Sequence, residues 1–182
     1  MIYMFIAEGF EEIEALCPLD LMRRAGLTVK TVGIGGNEIC GAHGITVRTD
    51  MSAAEYDLLA DKSADMIFLP GGMPGTLNLA ASETVTGAIK TAVNDKKYIA
   101  AICAAPSILG DMGLLSGKEA ICYPGFEERL TGATISSSRV VLDGNILTAA
   151  GMGVALDMGL KIVELFCGEK KSLELRRTVM AD

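Results

Sequence analysis

The chain has 182 residues, half of them apolar and 21% charged, which suits one domain able to close a sizeable core. Its 16 Lys and Arg against 23 Asp and Glu leave a net charge of -7, which excludes a nucleic-acid binder relying on clustered cations. No apolar run approaches the roughly 20 residues a membrane-spanning helix needs, so no membrane partner is expected.

Short apolar, β-prone runs alternate with longer amphipathic ones, the pattern of a parallel sheet covered by helices. Ile2 to Ile6 reads as the first strand and Glu11 to Ala25 as a helix closed by Gly26. Leu27 to Ile34 is a second strand, and Ile45 to Val47 a short excursion strand. Met66 to Leu69 runs straight into PGGMPG, and Ser82 starts a helix to about Asn94. Tyr98 to Ile102 is the fourth strand and Ala104 to Met112 the next helix. Glu119 to Tyr123 reads as a strand, and VVLDGNILT as a hairpin around Asp143-Gly144. Gly153 to Phe166 and Ser172 to Met180 are the closing helices. The expectation is one doubly wound α/β domain over residues 1–182.

The five cysteines contain no CxxC pair and the chain has a single histidine, so neither a metal nor another cofactor is expected. MIYMFIAEGF turns acidic at once and lacks a basic leader, and the unpaired thiols fit a reducing cytoplasm. The basic group Lys170, Lys171, Arg176 and Arg177 reads as a solvated helix face.

In open α/β sheets, sites gather beyond the carboxyl ends of the strands. Three segments fall there: EGFEEIE, PGGMPG and ICAAP. In the last, Cys103 stands between a strand and a helix, with small Ala104 and Ala105 after it and Pro106 suited to the first helical turn. That is the steric pattern of a nucleophile elbow, and a helix N-terminus there is expected to lower the thiol pKa. A buried, inert cysteine fits the same segment taken alone. The Gly72 and Ala104 N–H groups are candidate oxyanion donors, although PGGMPG also fits an ordinary turn. Most acids of EGFEEIE are expected to be solvated or helix N-terminal, where negative charge is favourable. Glu14 differs: Pro18 cannot donate to its carbonyl, so the helix is expected to loosen or kink there. A Glu14 carboxyl turned toward the sheet would have a raised pKa and could exchange a proton with sulfur. His43, in a Gly-rich connection, reads as a loop or dimer-contact residue that could reach the crevice from a neighbouring subunit. No histidine follows Cys103, which disfavours glutaminase chemistry.

Together these segments resemble the ThiJ/PfpI superfamily, in its branch containing the parkinsonism-associated protein deglycase. The resemblance rests on AEGFEEIEALCPLDLMRRAG, LPGGMPGTLNL, AAICAAPSILGDMGLLSGKEA and GLKIVELFCG. It implies a flavodoxin-like three-layer sandwich, with a mostly parallel sheet and helices on both faces, usually in a homodimer. It also implies that Cys103 and Glu14 are catalytic, that Gly72 and Ala104 supply the oxyanion donors, and that no cofactor takes part. The implied activity is a glutathione-independent glyoxalase or deglycase acting on small α-oxoaldehydes or glycated substrates. The alternative is a redox-responsive stress protein whose Cys103 oxidises to sulfinate; proteolysis, assigned to more distant relatives, lacks an oriented base. The chain departs from the family pattern in two places. Tyr123 stands where many members place a histidine, which leaves Tyr123 and His43 as accessory candidates, and Gly151-Met152-Gly153 replaces a common Gly-Pro-Gly.

Overall fold

The computed structural model describes residues 1–59 and 64–181. In chain order the elements are β1 (Ile2–Ala7), α1 (Glu12–Arg24), β2 (Val29–Ile34), β3 (Glu38–Cys40), β4 (Thr46–Arg48) and β5 (Met51–Ser52). There follow α2 (Ala53–Asp57), β6 (Met66–Leu69), α3 (Gly75–Ala81), α4 (Glu83–Asn94), β7 (Tyr98–Ile102) and α5 (Pro106–Asp111). The chain closes with β8 (Glu119–Ala120), β9 (Thr134–Ile135), β10 (Val140–Asp143), β11 (Ile146–Ala149), α6 (Ala155–Cys167) and α7 (Glu169–Thr178). Among the described residues no helix is long and apolar enough to cross a membrane.

The seven-stranded sheet has the order β10-β11-β7-β6-β1-β2-β5, with only the β10–β11 pairing antiparallel. Strand side chains alternate between two apolar layers because successive Cβ atoms point to opposite faces. Tyr3, Phe5, Ile67, Leu69, Ile99 and Ala101 pack beneath α4 and α5. Met4, Ile6, Phe68, Ala100 and Ile102 pack beneath α1 and α6. Both faces are therefore covered, which explains why the central strands read as unbroken apolar runs. Each fully buried Phe or Leu contributes roughly 1.5–3 kcal/mol. This is the expected mostly parallel sheet with helices on both faces.

Several boundaries differ from the expectations. Ser82 does open α4, as its cap, its hydroxyl accepting from the Val85 N–H. The short α3 precedes it, over residues that the Gly and Pro around them disguised as a turn. The predicted excursion strand is β4, and it pairs antiparallel with β3, which the reading missed. The strand predicted over 119–123 pairs only at Glu119 and Ala120. Beyond it the Ile121 N–H goes to the Thr148 hydroxyl at 3.0 Å and the chain turns away. A tight turn over Met152–Val154 precedes α6, and α7 starts at Glu169.

Helix α1 does not break at Pro18 but runs on to Arg24. Acids in its first turn and Arg23 and Arg24 in its last complement the helix dipole. It lies close against α6, where a Cβ on Gly159 would stand 2.9 Å from Pro18 Cα and 2.7 Å from Leu21 Cδ1. Only glycine at 159 allows that approach, and the approach fixes which face of α1 turns inward.

The strand order reverses beside β1, with β2 on one side and β6 on the other. The crevice at this reversal lies beyond the carboxyl ends of β1, β6 and β7. All three segments singled out in the sequence open there.

Candidate active site

Cys103 sits directly after β7 with φ 64°, a left-handed conformation that costs a non-glycine residue about 1–3 kcal/mol. The backbone around it holds that conformation in place. Its N–H donates to the Ala149 carbonyl at 2.9 Å, and its own carbonyl accepts from the Tyr123 N–H at 2.8 Å. The half-buried sulfur is met by the backbone N–H groups of Gly72 and Ala104. Gly72 can present its N–H because it has φ 92° and lies on the 9–11 loop, where a Cβ would come within 2.3 Å of the Glu11 nitrogen.

Glu14, in the first turn of α1, is fully buried. Its Oε2 accepts from the Gly71 N–H at 3.1 Å, while Oε1 has no hydrogen-bond partner among the described residues. The carboxyl stands against the Cys103 thiol. Gly71 makes this approach possible, since a Cβ there would lie 2.6 Å from both Cys103 Cβ and Glu14 Oε2. Gly151 forms the opposite wall: a Cβ placed on it would stand 3.3 Å from Tyr123 Cδ2, 3.7 Å from Glu14 Oε1 and 3.9 Å from Cys103 Sγ. Tyr123 and Met152, each more than half exposed, form the rim.

Burial pushes the Glu14 carboxyl up to about 7, with the Glu11 charge adding to the rise and the nearby Cys103 thiol and the Gly71 and Met152 N–H groups opposing it. Burial, then the neighbouring Glu14, push the Cys103 thiol up to about 12 against the two amide N–H groups. This reverses the expectation of a thiol acidified by a helix N-terminus. Helix α5 has only six residues and begins with a proline, so its field is weak beside desolvation and an adjacent carboxylate. The two groups titrate as a pair: once either is charged, the other is held neutral. Such a site suits transfer of one proton between sulfur and carboxyl.

His43 is placed elsewhere. Its Nδ1 lies 3.0 Å from Glu12 Oε2 and 3.3 Å from Glu11 Oε2, and its N–H donates to Glu12 Oε1 at 2.8 Å. Glu12 stands at the helix N-terminus, one of the two placements expected of these acids, and is buried, and a Cβ on Gly41 would strike it. Burial alone would raise the Glu12 pKa, but bonds from the His43 ring and the His43 and Ile45 N–H groups hold it down at about 2. The bond to Glu12, then the charges of Glu11 and Glu12, raise the His43 pKa. The ligand atoms of Glu11, Glu12 and His43 lie within 4.8 Å of one another. The arrangement fixes the β3–β4 hairpin to the start of α1, and this chain's His43 is engaged there rather than at Cys103. Glycines at 41 and 44 hinted at a close approach, but its partner, 31 residues away, could not be read from sequence.

Comparison with known proteins accounts for the whole assembly. The DJ-1/PfpI family profile matches residues 1–165. Protein DJ-1 homolog B of Arabidopsis thaliana is 34% identical over 96% of the chain, which spans only 40% of that longer protein. Protein dj-1beta of Drosophila melanogaster is 32% identical, with 97% of this chain and 95% of that protein covered. The Caenorhabditis elegans protein named glutathione-independent glyoxalase DJR-1.2 is 31% identical, with 92% and 89% covered. The solved structure of Toxoplasma gondii DJ-1, oxidized, superposes with a TM-score of 0.93 at 29% identity, covering 98% of this chain and 97% of that one. A profile match over most of the chain, full-length relatives above 30% identity and a shared fold lead to one conclusion: the chain belongs to the DJ-1/PfpI family.

Proposed function

We propose that the protein is a cofactor-independent glyoxalase or deglycase that acts through Cys103 on small α-oxoaldehydes or their adducts. The observation that carries this reading is a fully buried Glu14 carboxyl set against Cys103, a burial that raises its pKa to about 7. A carboxyl poised there can both take up and return a proton at neutral pH. The glyoxalase name of the Caenorhabditis elegans relative supports the same chemistry.

With methylglyoxal, Cys103 Sγ bonds to the aldehyde carbon as Glu14 takes the thiol proton. Glu14 returns that proton to the aldehyde oxygen, giving a hemithioacetal. The Gly72 and Ala104 N–H groups, now on the sulfur, would serve as donors to developing negative charge on that oxygen. Glu14 then removes the proton from the former aldehyde carbon and delivers it to the neighbouring carbon through an enediol, while the hydroxyl proton on the first oxygen passes to the second. The first carbon is thereby oxidised to a thioester and the second reduced to an alcohol. Water cleaves the C–S bond, releasing lactate and restoring the thiol. Tyr123 at the rim flanks the substrate and need not act as a base.

Incubating the protein with methylglyoxal, without glutathione, and following the mixture by proton NMR tests this reading. Lactate is expected well above the protein-free rate; lactate at the blank rate overturns it.

A second reading draws on the same donors. Two equivalents of hydrogen peroxide would each give an oxygen to Cys103 and leave as water, producing a sulfinate. The Gly72 and Ala104 N–H groups and a protonated Glu14 would hold its oxygens, and the Toxoplasma relative is described as oxidized. Peptide mass spectrometry after peroxide is expected to show a two-oxygen gain at Cys103 ahead of the other four cysteines. An even gain over all five removes this reading.

A further inference from the structure

The edge of the sheet that holds Cys103 also holds a cation with no partner among the described residues. In register, Val140 pairs with Ala149 and Ala149 with Ile102. Arg139, just before Val140, and Cys103, just after Ile102, therefore stand on the same edge two strands apart, a separation of about 10 Å. The Arg139 carbonyl accepts from the Ala150 N–H at 2.9 Å, which anchors its backbone to the segment leading into Gly151. Its Nη2 lies 3.0 Å from where a Cβ on Gly153 would be. The guanidinium thus leans over the Gly151-Met152-Gly153 turn, whose first residue walls the Cys103 pocket.

Among the described residues the Arg139 side chain has no ion pair and no hydrogen bond. This is unexpected in a chain of net charge -7. The acid on the nearby first turn of α6, Asp157, is taken by Arg176, whose Nη2 is 2.5 Å from Asp157 Oδ1. A guanidinium is a five-donor fork suited to carboxylate and phosphate.

We infer that Arg139 is a specificity-determining residue that binds an anionic oxygen group carried by the carbonyl substrate, at the far end from the carbon that Cys103 attacks. The inference rests on the carbonyl chemistry proposed above and adds the substrate class: α-oxoaldehydes with a terminal carboxylate. Such a compound spans a length on the scale of that backbone separation. In 4,5-dioxopentanoate the four bonds from aldehyde to carboxylate carbon span about 5 Å, by ordinary covalent lengths. The new C–S bond and a guanidinium–carboxylate hydrogen bond of about 2.8 Å bring the total to roughly 10 Å. Methylglyoxal carries no charge for Arg139 to hold.

The test compares 4,5-dioxopentanoate with uncharged 2-oxopentanal on wild type, Arg139→Gln and Arg139→Lys, all as the full chain. Arg139 is exposed, so neither substitution disturbs the core. Arg139→Gln is expected to lower kcat/KM for the acid tenfold or more and for 2-oxopentanal less than twofold, with Arg139→Lys in between. A second readout needs no turnover: protection of Cys103 from iodoacetamide by each aldehyde. In wild type the acid is expected to protect at a concentration at least tenfold lower than 2-oxopentanal, an advantage lost in Arg139→Gln. If neither aldehyde yields product, the glyoxalase reading fails, and protection alone decides the Arg139 site. No protection by the acid, or the same acid-to-neutral ratio in wild type and Arg139→Gln, overturns the inference.

Discussion

Glu14→Gln is expected to cost the proposed activity a hundredfold or more in kcat/KM while making the fold more stable at alkaline pH. The loss follows from removing the group that moves the proton, since general acid–base catalysis contributes about 10²–10⁴-fold. Cys103→Ser goes further, at least about 10³-fold and to the blank rate, because the nucleophile itself is gone. The pH dependence identifies the group. In wild type kcat/KM rises as Glu14 ionises around pH 7, and in Glu14→Gln that limb disappears. Stability moves in the opposite sense. A carboxyl raised from 4.5 to about 7 in the folded state binds its proton more tightly there than in the unfolded chain. Stability is therefore undiminished below about pH 4.5 and falls as pH rises through 7, by about 3 kcal/mol at most. Gln carries no such penalty. Thermal melts are expected to place Glu14→Gln above wild type at pH 8, by about 5–10 °C, and near it at pH 5. A variant with full activity, or one no more stable than wild type at pH 8, removes Glu14 from the proposed role.

Gly72→Ala is expected to damage fold and activity together. The new methyl would come 2.3 Å from the Glu11 nitrogen and 2.6 Å from the Gly9 oxygen, both backbone atoms, at a φ of 92° that alanine resists. The β6–α3 turn must back away from the 9–11 loop, taking the Gly72 N–H off the sulfur. Loss of about 3 kcal/mol is expected from the combined clash and strain, and of about 10²-fold in kcat/KM from the displaced donor. Gly87→Ala is the control: it lies within α4 with no atom within 4 Å of the new methyl, and is expected to gain up to about 1 kcal/mol. Equal melting temperatures and rates for the two alanine variants would contradict this account of the turn.

How much of this was legible in the sequence depended on how local the cause was. The elbow at Cys103 could be read because strand end, small residues and Pro106 are contiguous. The PGGMPG turn could be read for the same reason. The sign of the thiol shift could not: the helix terminus that lowers it is local, whereas the burial and the Glu14 carboxyl that raise it arrive by folding. The inward turn of Glu14 depends on α1 packing against α6 at Gly159, 145 residues further on. The overlong strand at 119–123 shows the same limit. Ile121 and Cys122 have strand composition, but no neighbouring strand offers a ladder, and the Thr148 hydroxyl takes the Ile121 N–H instead.

The two hydrogen bonds that hold the Cys103 backbone, to Ala149 and from Tyr123, both run main chain to main chain. Neither depends on which side chain stands at 149 or 123. The anchor of the nucleophile is thus indifferent to the chemistry of the pocket rim. A lineage can exchange the residue at 123 and alter what the pocket admits while the sulfur keeps its place.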